Sequence, residues 1–257
     1  VAYIANYAPE GKRREITMRI QEILDGRKLS AGALQYIVNK PTLQNMLAEY
    51  EAYAQTLPES TGRENESTVY YNQDQVIHRR EDFTAALSMS SERTAKYESY
   101  KTTNGSGWYL GDGMLYVYMD DKQYTQGYFD NINPYYMPGT TVDSTRREII
   151  HTETDPDWGL PENDWAGGVT DGENTVAGYQ LGNQYVSGLA GKKSYFLFGD
   201  KIICMGSGIT GGEGEVYTVL DNRMINKPIS DDLEAISYEV HGITTDNPDK
   251  AELVYKL

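Results

Sequence analysis

Apolar and polar positions follow two different periods along this chain, and the change of period divides it into two parts. Between residues 12 and 56, apolar side chains such as Ile16 and Ile20 recur at the three- and four-residue spacing of amphipathic helices. Pro58 ends this part because proline cannot continue a helix. We therefore predict a few helices over residues 1–60, too few to form a domain by themselves.

The period changes to two after residue 68, where short runs rich in Val, Ile, Tyr and Thr alternate with Gly, Asp and Asn turns. The predicted strands are 68–71, 75–78, 83–89, 108–110, 114–119, 176–181, 184–189, 194–198, 201–205, 215–220, 235–240 and 253–255. Gly199-Asp200 is typical of a two-residue hairpin turn. This pattern predicts an antiparallel β-sandwich over residues 61–257.

Residues 143–174 interrupt the strand pattern with an acidic segment that we predict to be an irregular loop containing Trp158 and Trp165. Its carboxylates could bind calcium, which prefers several oxygen ligands, although the spacing is not that of an EF-hand. The acidic side chains concerned are Asp155, Asp157, Glu162, Asp164, Asp171 and Glu173. A solvated acidic loop and a structural calcium site both remain open.

Composition narrows the class of protein. The 22 tyrosines and 25 glycines among 257 residues favour a β-rich body with many turns. A net charge of −15 argues against a nucleic-acid partner. No apolar run approaches the roughly 20 residues that span a bilayer, so we expect no membrane partner. Cys204, the only cysteine, lies in an apolar run and is predicted to be a buried, inert thiol.

Two familiar motif types do not fit this chain. Gly206, Gly208 and Gly211 match the letters of a dinucleotide-binding motif, but a strand pattern follows them where a helix is required. We therefore predict a glycine-rich turn. The three histidines, His78, His151 and His241, are scattered, so we predict no metal site built on them.

A stretch from Asn104 to Thr141 combines closely spaced glycines with Trp108 and many tyrosines. Such a stretch could offer a sugar-stacking platform or form a packed hairpin. Just upstream, Arg93 follows a predicted strand and could clamp a carboxylate through two hydrogen bonds. The alternative is a surface arginine paired with a neighbouring glutamate, Glu92 or Glu98.

Five segments occur in an order that resembles polysaccharide lyase family 8, which includes hyaluronate, chondroitin AC and xanthan lyases. They are SMSSERTAKYE, NGSGWYLGDGMLYVYMDD, INPYYMPGTT, KKSYFLFGDKIICMGSGI and TVLDNR, within roughly residues 68–225. The resemblance implies an α/α toroid followed by a large antiparallel β super-sandwich, with the substrate cleft between them. It also implies β-elimination at a uronic acid, in which a base removes the C5 proton and the C4–O bond breaks.

The resemblance places the family's catalytic Asn, His and Tyr in the toroid, upstream of the matched region. We therefore expect this chain to be catalytically incomplete, to form one wall of the cleft, and to need the missing toroid half as a partner. No cofactor is expected, and a secreted or periplasmic bacterial protein is implied. A non-catalytic carbohydrate-binding or supporting β-sandwich module is the alternative.

The resemblance also implies roles for individual residues of this chain. Arg93 matches a cleft arginine of the family's catalytic site, and Asn104 and Trp108 match a pattern close to the substrate. Thr103 replaces the family's glutamate beside Asn104, which weakens any charge-based role there. Glu173 is a candidate counterpart of a catalytic glutamate in chondroitin-cleaving members, on a weak alignment.

Overall fold

The chain is mainly β, as the sequence predicts. The computed structural model describes residues 7–16, 65–99, 104–119, 123–124, 128–147, 161–182 and 188–223, with the backbone of 251–252. Residues 10–16 are helical, which agrees with the start of the first predicted helix. The other predicted helices, the boundary near residue 60 and the strands predicted at 235–240 and 253–255 lie outside the described residues. Among the described residues, no helix is both long enough and apolar enough to span a membrane.

Within the described residues, eleven strands form three sheets. The strands are β1 (Glu66–Tyr70), β2 (Gln75–Arg79), β3 (Thr84–Ser88), β4 (Met114–Tyr118), β5 (Thr141–Asp143), β6 (Ala166–Thr170), β7 (Thr175–Gly182), β8 (Ala190–Phe198), β9 (Lys201–Thr210), β10 (Val216–Thr218) and β11 (Ala251–Glu252). The first sheet has the order β1-β2-β3-β4 and the second β6-β7-β8-β9, both antiparallel throughout. In the third sheet β10 pairs antiparallel with β5 and parallel with β11. A single helical turn spans Tyr128–Asn131.

The first and second sheets pack face to face around the larger apolar cluster. Alternation along β1–β3 turns residues such as Val76 and Leu87 inward, where they meet Tyr195 and Leu197 of β8. Alternate residues of a strand point to opposite faces, so each sheet contributes one apolar face. The predicted sandwich is therefore confirmed for this pair of sheets.

The opposite face of the first sheet supports a second cluster that is rich in tyrosine. Tyr116 of β4 stacks on Tyr124 at 4.3 Å between ring centroids, and Val142 of β5 packs into the same cluster. Burial raises the pKa of Tyr116 to about 12. Most of the aromatic stretch after residue 104 therefore serves as packing between the first and third sheets, in line with the packed alternative.

Several predicted boundaries are wrong. Residues 108–110 form a turn and not a strand. Residues 143–174, predicted to be an irregular loop, contain the end of β5, all of β6 and the β6–β7 turn. The segment predicted as strand 184–189 is described only at Gly188 and Leu189, and the strand begins at Ala190. Glycines in β6 obscured that strand in the sequence, because glycine carries no side-chain pattern.

The β8–β9 hairpin is partly as predicted. Phe198 pairs with Lys201 across the Gly199-Asp200 turn, and Gly199 has a φ of 55°, which suits the first position of a tight hairpin turn. The glycine-rich turn predicted from Gly206 is wrong, since β9 continues to Thr210 through a bulge at Gly208, whose φ is 58°. The prediction of a buried thiol is also wrong, since Cys204 is exposed on β9, the edge strand of the second sheet among the described residues.

Candidate functional site

The candidate residues lie on the connection between β3 and β4, described at residues 89–99 and 104–113 and called here the β3–β4 connection. Two glycines allow its halves to approach each other. A Cβ on Gly107 would lie 3.0 Å from Tyr97 Cβ, and one on Gly111 would lie 2.8 Å from Lys96 Cα. Larger side chains would therefore separate the two halves, which explains the glycine spacing in the sequence.

Arg93 is held on this connection by a buried carboxylate. Its Nη2 donates to Asp74 Oδ1 at 2.6 Å and to the Ala166 carbonyl at 3.1 Å, while its Nε donates to Ser91 Oγ at 3.4 Å. The side chain of Arg93 is 57% exposed, whereas that of Asp74 is 0% exposed. The predicted alternative, a surface pair with a neighbouring glutamate, is not what the structure shows.

These bonds limit what Arg93 can still bind. Both hydrogens of Nη2 have acceptors, and Nε has one as well. Within the described residues, no hydrogen bond involves Nη1 of Arg93. A two-bond clamp on a ligand carboxylate would need one of the existing bonds to break, so the arginine offers Nη1 as its available donor.

A second buried ion pair fixes the middle of the connection. Lys96 Nζ lies 2.7 Å from Asp112 Oδ1 and 3.0 Å from Oδ2, and both side chains are 2% exposed. Lys96 Nζ also donates to the Gly182 carbonyl at 3.3 Å, which ties the connection to the end of β7. The pair is therefore structural, because no ligand can reach it.

Asn104 is exposed at the start of the second half of the connection. Its φ is 56°, a left-handed conformation that asparagine tolerates better than most residues. Its Nδ2 donates to the Glu98 carbonyl at 2.8 Å, and its side chain lies over Gly107. Asn104 therefore links the two halves of the connection through the Glu98 carbonyl, while its amide group stays at the surface.

Trp108 is half-buried and packs into the tyrosine-rich cluster. Its ring centroid lies 5.2 Å from that of Tyr135 and 6.5 Å from that of Tyr109. Burial raises the pKa of Tyr109 to about 12, against the opposing effect of the Arg147 guanidinium, whose Nε donates to Tyr109 Oη at 3.0 Å. Neither ring therefore forms a free stacking platform, and Tyr109 does not lose its proton near neutral pH.

The structure does not bring Glu173 to the other candidates. Glu173 lies in the β6–β7 turn, whereas Arg93 contacts Ala166 at the opposite end of β6. With a rise of about 3.3 Å per strand residue, the two positions are on the order of 15 Å apart or more. The backbone carbonyl of Glu173 accepts a hydrogen bond from buried Arg80. A catalytic role for Glu173 stays a prediction.

Calcium binding also stays a prediction. Asp155 and Asp157 lie outside the described residues, and Asp171 uses one carboxylate oxygen to accept the backbone N–H groups of Glu173 and Asn174 at 2.9 and 2.7 Å. Those bonds lower the pKa of the exposed Asp171 carboxyl, with the Asn174 bond contributing most. No group of three or more acidic, histidine or cysteine side chains suited to a metal occurs in the described parts of the chain.

Asp74 is the site residue that the sequence analysis missed. It precedes β2, nineteen positions before Arg93, and no local spacing rule links a turn aspartate to an arginine so far along the chain. The sequence does contain one local signal for this residue. An aspartate at the end of a polar turn, directly before an apolar strand, is typical of a residue that accepts left-handed backbone angles.

Comparison with known proteins settles the family. The model of the polysaccharide lyase family 8 super-sandwich domain matches residues 65–252. The chain belongs to polysaccharide lyase family 8. The resemblance drawn from the five sequence segments is thereby confirmed, and the sandwich described above is this family's domain.

Three relatives illustrate the range of the family. A polysaccharide lyase 8 family protein of Enterococcus faecalis is 34% identical over 228 residues, covering 87% of this family 8 chain and 16% of its own length. A xanthan lyase of a Bacillus species is 36% identical over 159 residues, covering 61% of this chain and 16% of its own length. A chondroitin AC lyase of Streptomyces coelicolor, solved with chondroitin sulphate, superposes with a TM-score of 0.75 at 32% identity, over 86% of this chain and 30% of that one.

The family 8 chain therefore spans only a minor part, 16% to 30%, of these relatives. The names of the second and third relatives refer to different polymers, xanthan and chondroitin. Within the described residues of the β3–β4 connection, the structure shows an exposed arginine and an exposed amide, and its buried Tyr109 has a pKa near 12. The exposed arginine and amide can bind a polar or anionic ligand, but none of the three groups is suited to act as a general base near neutral pH.

Proposed function

We propose that this chain forms one wall of the substrate cleft in a polysaccharide lyase that cleaves uronic-acid polymers by β-elimination. The observation that supports this most is the exposed Arg93 guanidinium, held by buried Asp74 on the connection that carries the family's sequence pattern. An arginine oriented in this way is suited to bind a carboxylate or sulfate group of an acidic glycan.

Arg93 would act on the charge that develops during elimination. When a base removes the C5 proton, negative charge moves onto the uronate carboxylate, and a nearby guanidinium stabilises it. Since Nη2 and Nε are already bonded, Nη1 would make a single-nitrogen contact to one carboxylate oxygen. Such a charge-assisted hydrogen bond is stronger than one between neutral groups.

Asn104 and Trp108 would support the polymer beside Arg93. The exposed amide of Asn104 can accept or donate to sugar hydroxyls, although one of its donors already binds the Glu98 carbonyl. Trp108 is half-buried against Tyr135, so it would contribute part of the cleft floor and not a full stacking face. Both residues belong to the same β3–β4 connection as Arg93.

The proton-transfer groups would come from the toroid half of the parent enzyme. The described histidine, His78, is buried in the sandwich and bonded to Ser67 and Gly199, so it cannot reach a substrate. We also propose that the substrate is a polymer of the hyaluronan, chondroitin or xanthan type, and that the parent protein is secreted or periplasmic. Structural calcium bound to the acidic segment remains part of this proposal.

The ultraviolet absorbance of the unsaturated uronate product tests this function. We expect no absorbance growth when the 257-residue chain is incubated with hyaluronan, chondroitin or xanthan, and growth with one polymer once the toroid half is added. Product formed by the chain alone would contradict the proposal. In the reconstituted enzyme, Arg93→Ala should lower kcat/KM at least tenfold. Arg79→Ala, which removes an arginine paired with Glu66 away from the connection, is the matched control.

A supporting β-sandwich module is the alternative function. The partial burial of Trp108 and the internal bonds of Arg93 favour it. In that case Arg93→Ala would change the stability of the sandwich but neither polymer affinity nor turnover. Titration of the three polymers against wild type and Arg93→Ala separates the two functions.

A further inference from the structure

Asp74 combines features that ordinary turn residues do not share. Its side chain is fully buried, and its φ of 50° lies in the left-handed region that few residues adopt. Both carboxylate oxygens are bonded, Oδ1 to Arg93 Nη2 and Oδ2 to Ser91 Oγ, each at 2.6 Å. A buried carboxylate is tolerated only when it is paired and hydrogen-bonded, and Asp74 meets that condition through the β3–β4 connection.

The backbone of Asp74 also helps to hold the β3–β4 connection in place. The Asp74 carbonyl accepts the Met89 N–H at 2.9 Å, directly after β3. Ser91 Oγ, which donates to Asp74, accepts from both the backbone N–H and Nε of Arg93 at 3.3 and 3.4 Å. The carboxylate therefore fixes the arginine directly and through the serine.

We propose that Asp74 is a positioning residue that presents Nη1 of Arg93 to the acidic sugar, an inference that rests on the function proposed above. The guanidinium is planar, so anchoring Nη2 and Nε fixes the direction of the remaining nitrogen. A side chain that is ordered before binding loses less conformational entropy when the ligand arrives. Asp74 itself does not touch substrate, because no part of its side chain is exposed.

Side-chain NMR of Arg93 tests the positioning directly. In wild type we expect a resolved Nε–H signal and slow rotation about the Nε–Cζ bond. Asp74→Asn keeps the size of the side chain and tolerates the positive φ, but it removes the charge, so rotation should become fast. Glu66→Gln, which weakens the Arg79–Glu66 pair at 3.1 Å, is the matched control and should leave the Arg93 signal unchanged.

A double-mutant cycle on polymer binding tests the functional part. The reconstituted enzyme is titrated with the polymer that it cleaves. We expect Arg93→Ala to weaken binding roughly tenfold and Asp74→Asn severalfold in the wild-type background. In the Arg93→Ala background, Asp74→Asn should cause no further loss, because the residue acts through the arginine.

Each result has a defined meaning. Unchanged Arg93 rotation in Asp74→Asn would overturn the positioning role, and so would an equal loss of affinity in both backgrounds, which indicates a purely structural effect. If Arg93→Ala leaves binding unchanged, the proposed cleft role of Arg93 fails and the inference falls with it. Should Asp74→Asn not fold, Ser91→Ala removes the second anchor and is measured in the same way, with the same outcomes deciding.

Discussion

Gly113 lies where the start of β4 passes the inner face of the second sheet. Its φ is 75°, and a Cβ at this position would collide with Tyr195 Oη and lie 2.8 Å from Tyr179 Cε1. Both tyrosines are buried in the core and cannot move aside. We expect Gly113→Ala to lower the free energy of unfolding by about 3 kcal/mol, through backbone strain and overpacking together.

Urea unfolding of Gly113→Ala against Gly167→Ala checks this expectation. Gly167 lies in β6 with open space around its Cβ position, and its φ is not positive, so alanine there should change stability by less than about 1 kcal/mol. Equal unfolding midpoints for the two variants would mean that the close contact of Gly113 with the second sheet does not exclude a larger side chain there.

Single residues also show where sequence reasoning succeeds and where it stops. The Gly199 turn was predictable, because a two-residue hairpin needs a residue of this kind at that position. The pairing of Arg93 with Asp74 was not, since the two meet only when the β1–β2 turn and the β3–β4 connection lie at the same end of the first sheet. The exposure of Cys204 depends on which strand forms the edge, which local patterns do not encode.

Buried hydrogen bonds join β1, β2, β7 and the β8–β9 turn. His78 Nε2 lies 2.9 Å from the Gly199 carbonyl, which can only accept, so Nε2 carries a proton. In the neutral ring, Nδ1 then accepts from Ser67 Oγ at 3.1 Å. Ser67 Oγ in turn accepts from Thr175 Oγ1 at 2.6 Å. These bonds join the two sheets where their strands end, and a neutral imidazole satisfies all of them.

The stability of the sandwich should therefore depend on pH through His78. Its pKa is lowered from 6.5, chiefly because burial disfavours the charged ring, with repulsion by Arg80 adding to this and the Gly199 bond opposing it. Below pH 6.5 the unfolded chain binds a proton that the folded chain does not. The free energy of unfolding should then fall with decreasing pH, by at most about 1.4 kcal/mol per pH unit, until the folded pKa is reached.

Denaturant titrations of wild type and His78→Gln between pH 7.5 and 5 measure this effect. Glutamine can donate to Gly199 and accept from Ser67 without titrating. The free energy of unfolding of the variant should therefore depend less on pH than that of wild type over the range just below pH 6.5. Carboxyl groups titrate in both proteins and cancel in the difference. Parallel curves would show that His78 has the same proton affinity in the folded and unfolded chain.

The Lys96–Asp112 pair makes a comparable test of the β3–β4 connection. Lys96→Met would leave a buried, unpaired carboxylate, which typically costs about 3–5 kcal/mol. Adding Asp112→Asn should recover part of that loss, because the uncompensated charge is gone. Differential scanning calorimetry of the two variants decides between this outcome and a simple loss of packing, for which the second substitution would bring no recovery.

The sandwich architecture of the described residues was more predictable than the first and last residues of its strands. Alternation in β1–β3 and β8 identified a sandwich because these strands turn alternate residues into the core, as in the inward Val76 and Leu197. The third sheet was less visible, since β5 is only three residues long and pairs with β10, far along the chain. Local propensity carries little information about such distant pairing.

Net charge makes a last prediction for the chain as a whole. At −15, the chain repels an acidic polymer over distance, even though Arg93 attracts a carboxylate at contact. The Debye length falls from about 30 Å at 0.01 M salt to about 8 Å at 0.15 M, so salt should screen the long-range repulsion far more than the contact. We expect the association rate constant of the isolated chain with hyaluronan to rise severalfold over this range, as measured on immobilised polymer, and a neutral dextran to show no trend. A rate that falls with salt would mean that a local positive field outweighs the net charge, and Arg93→Ala would then show whether this arginine is its source.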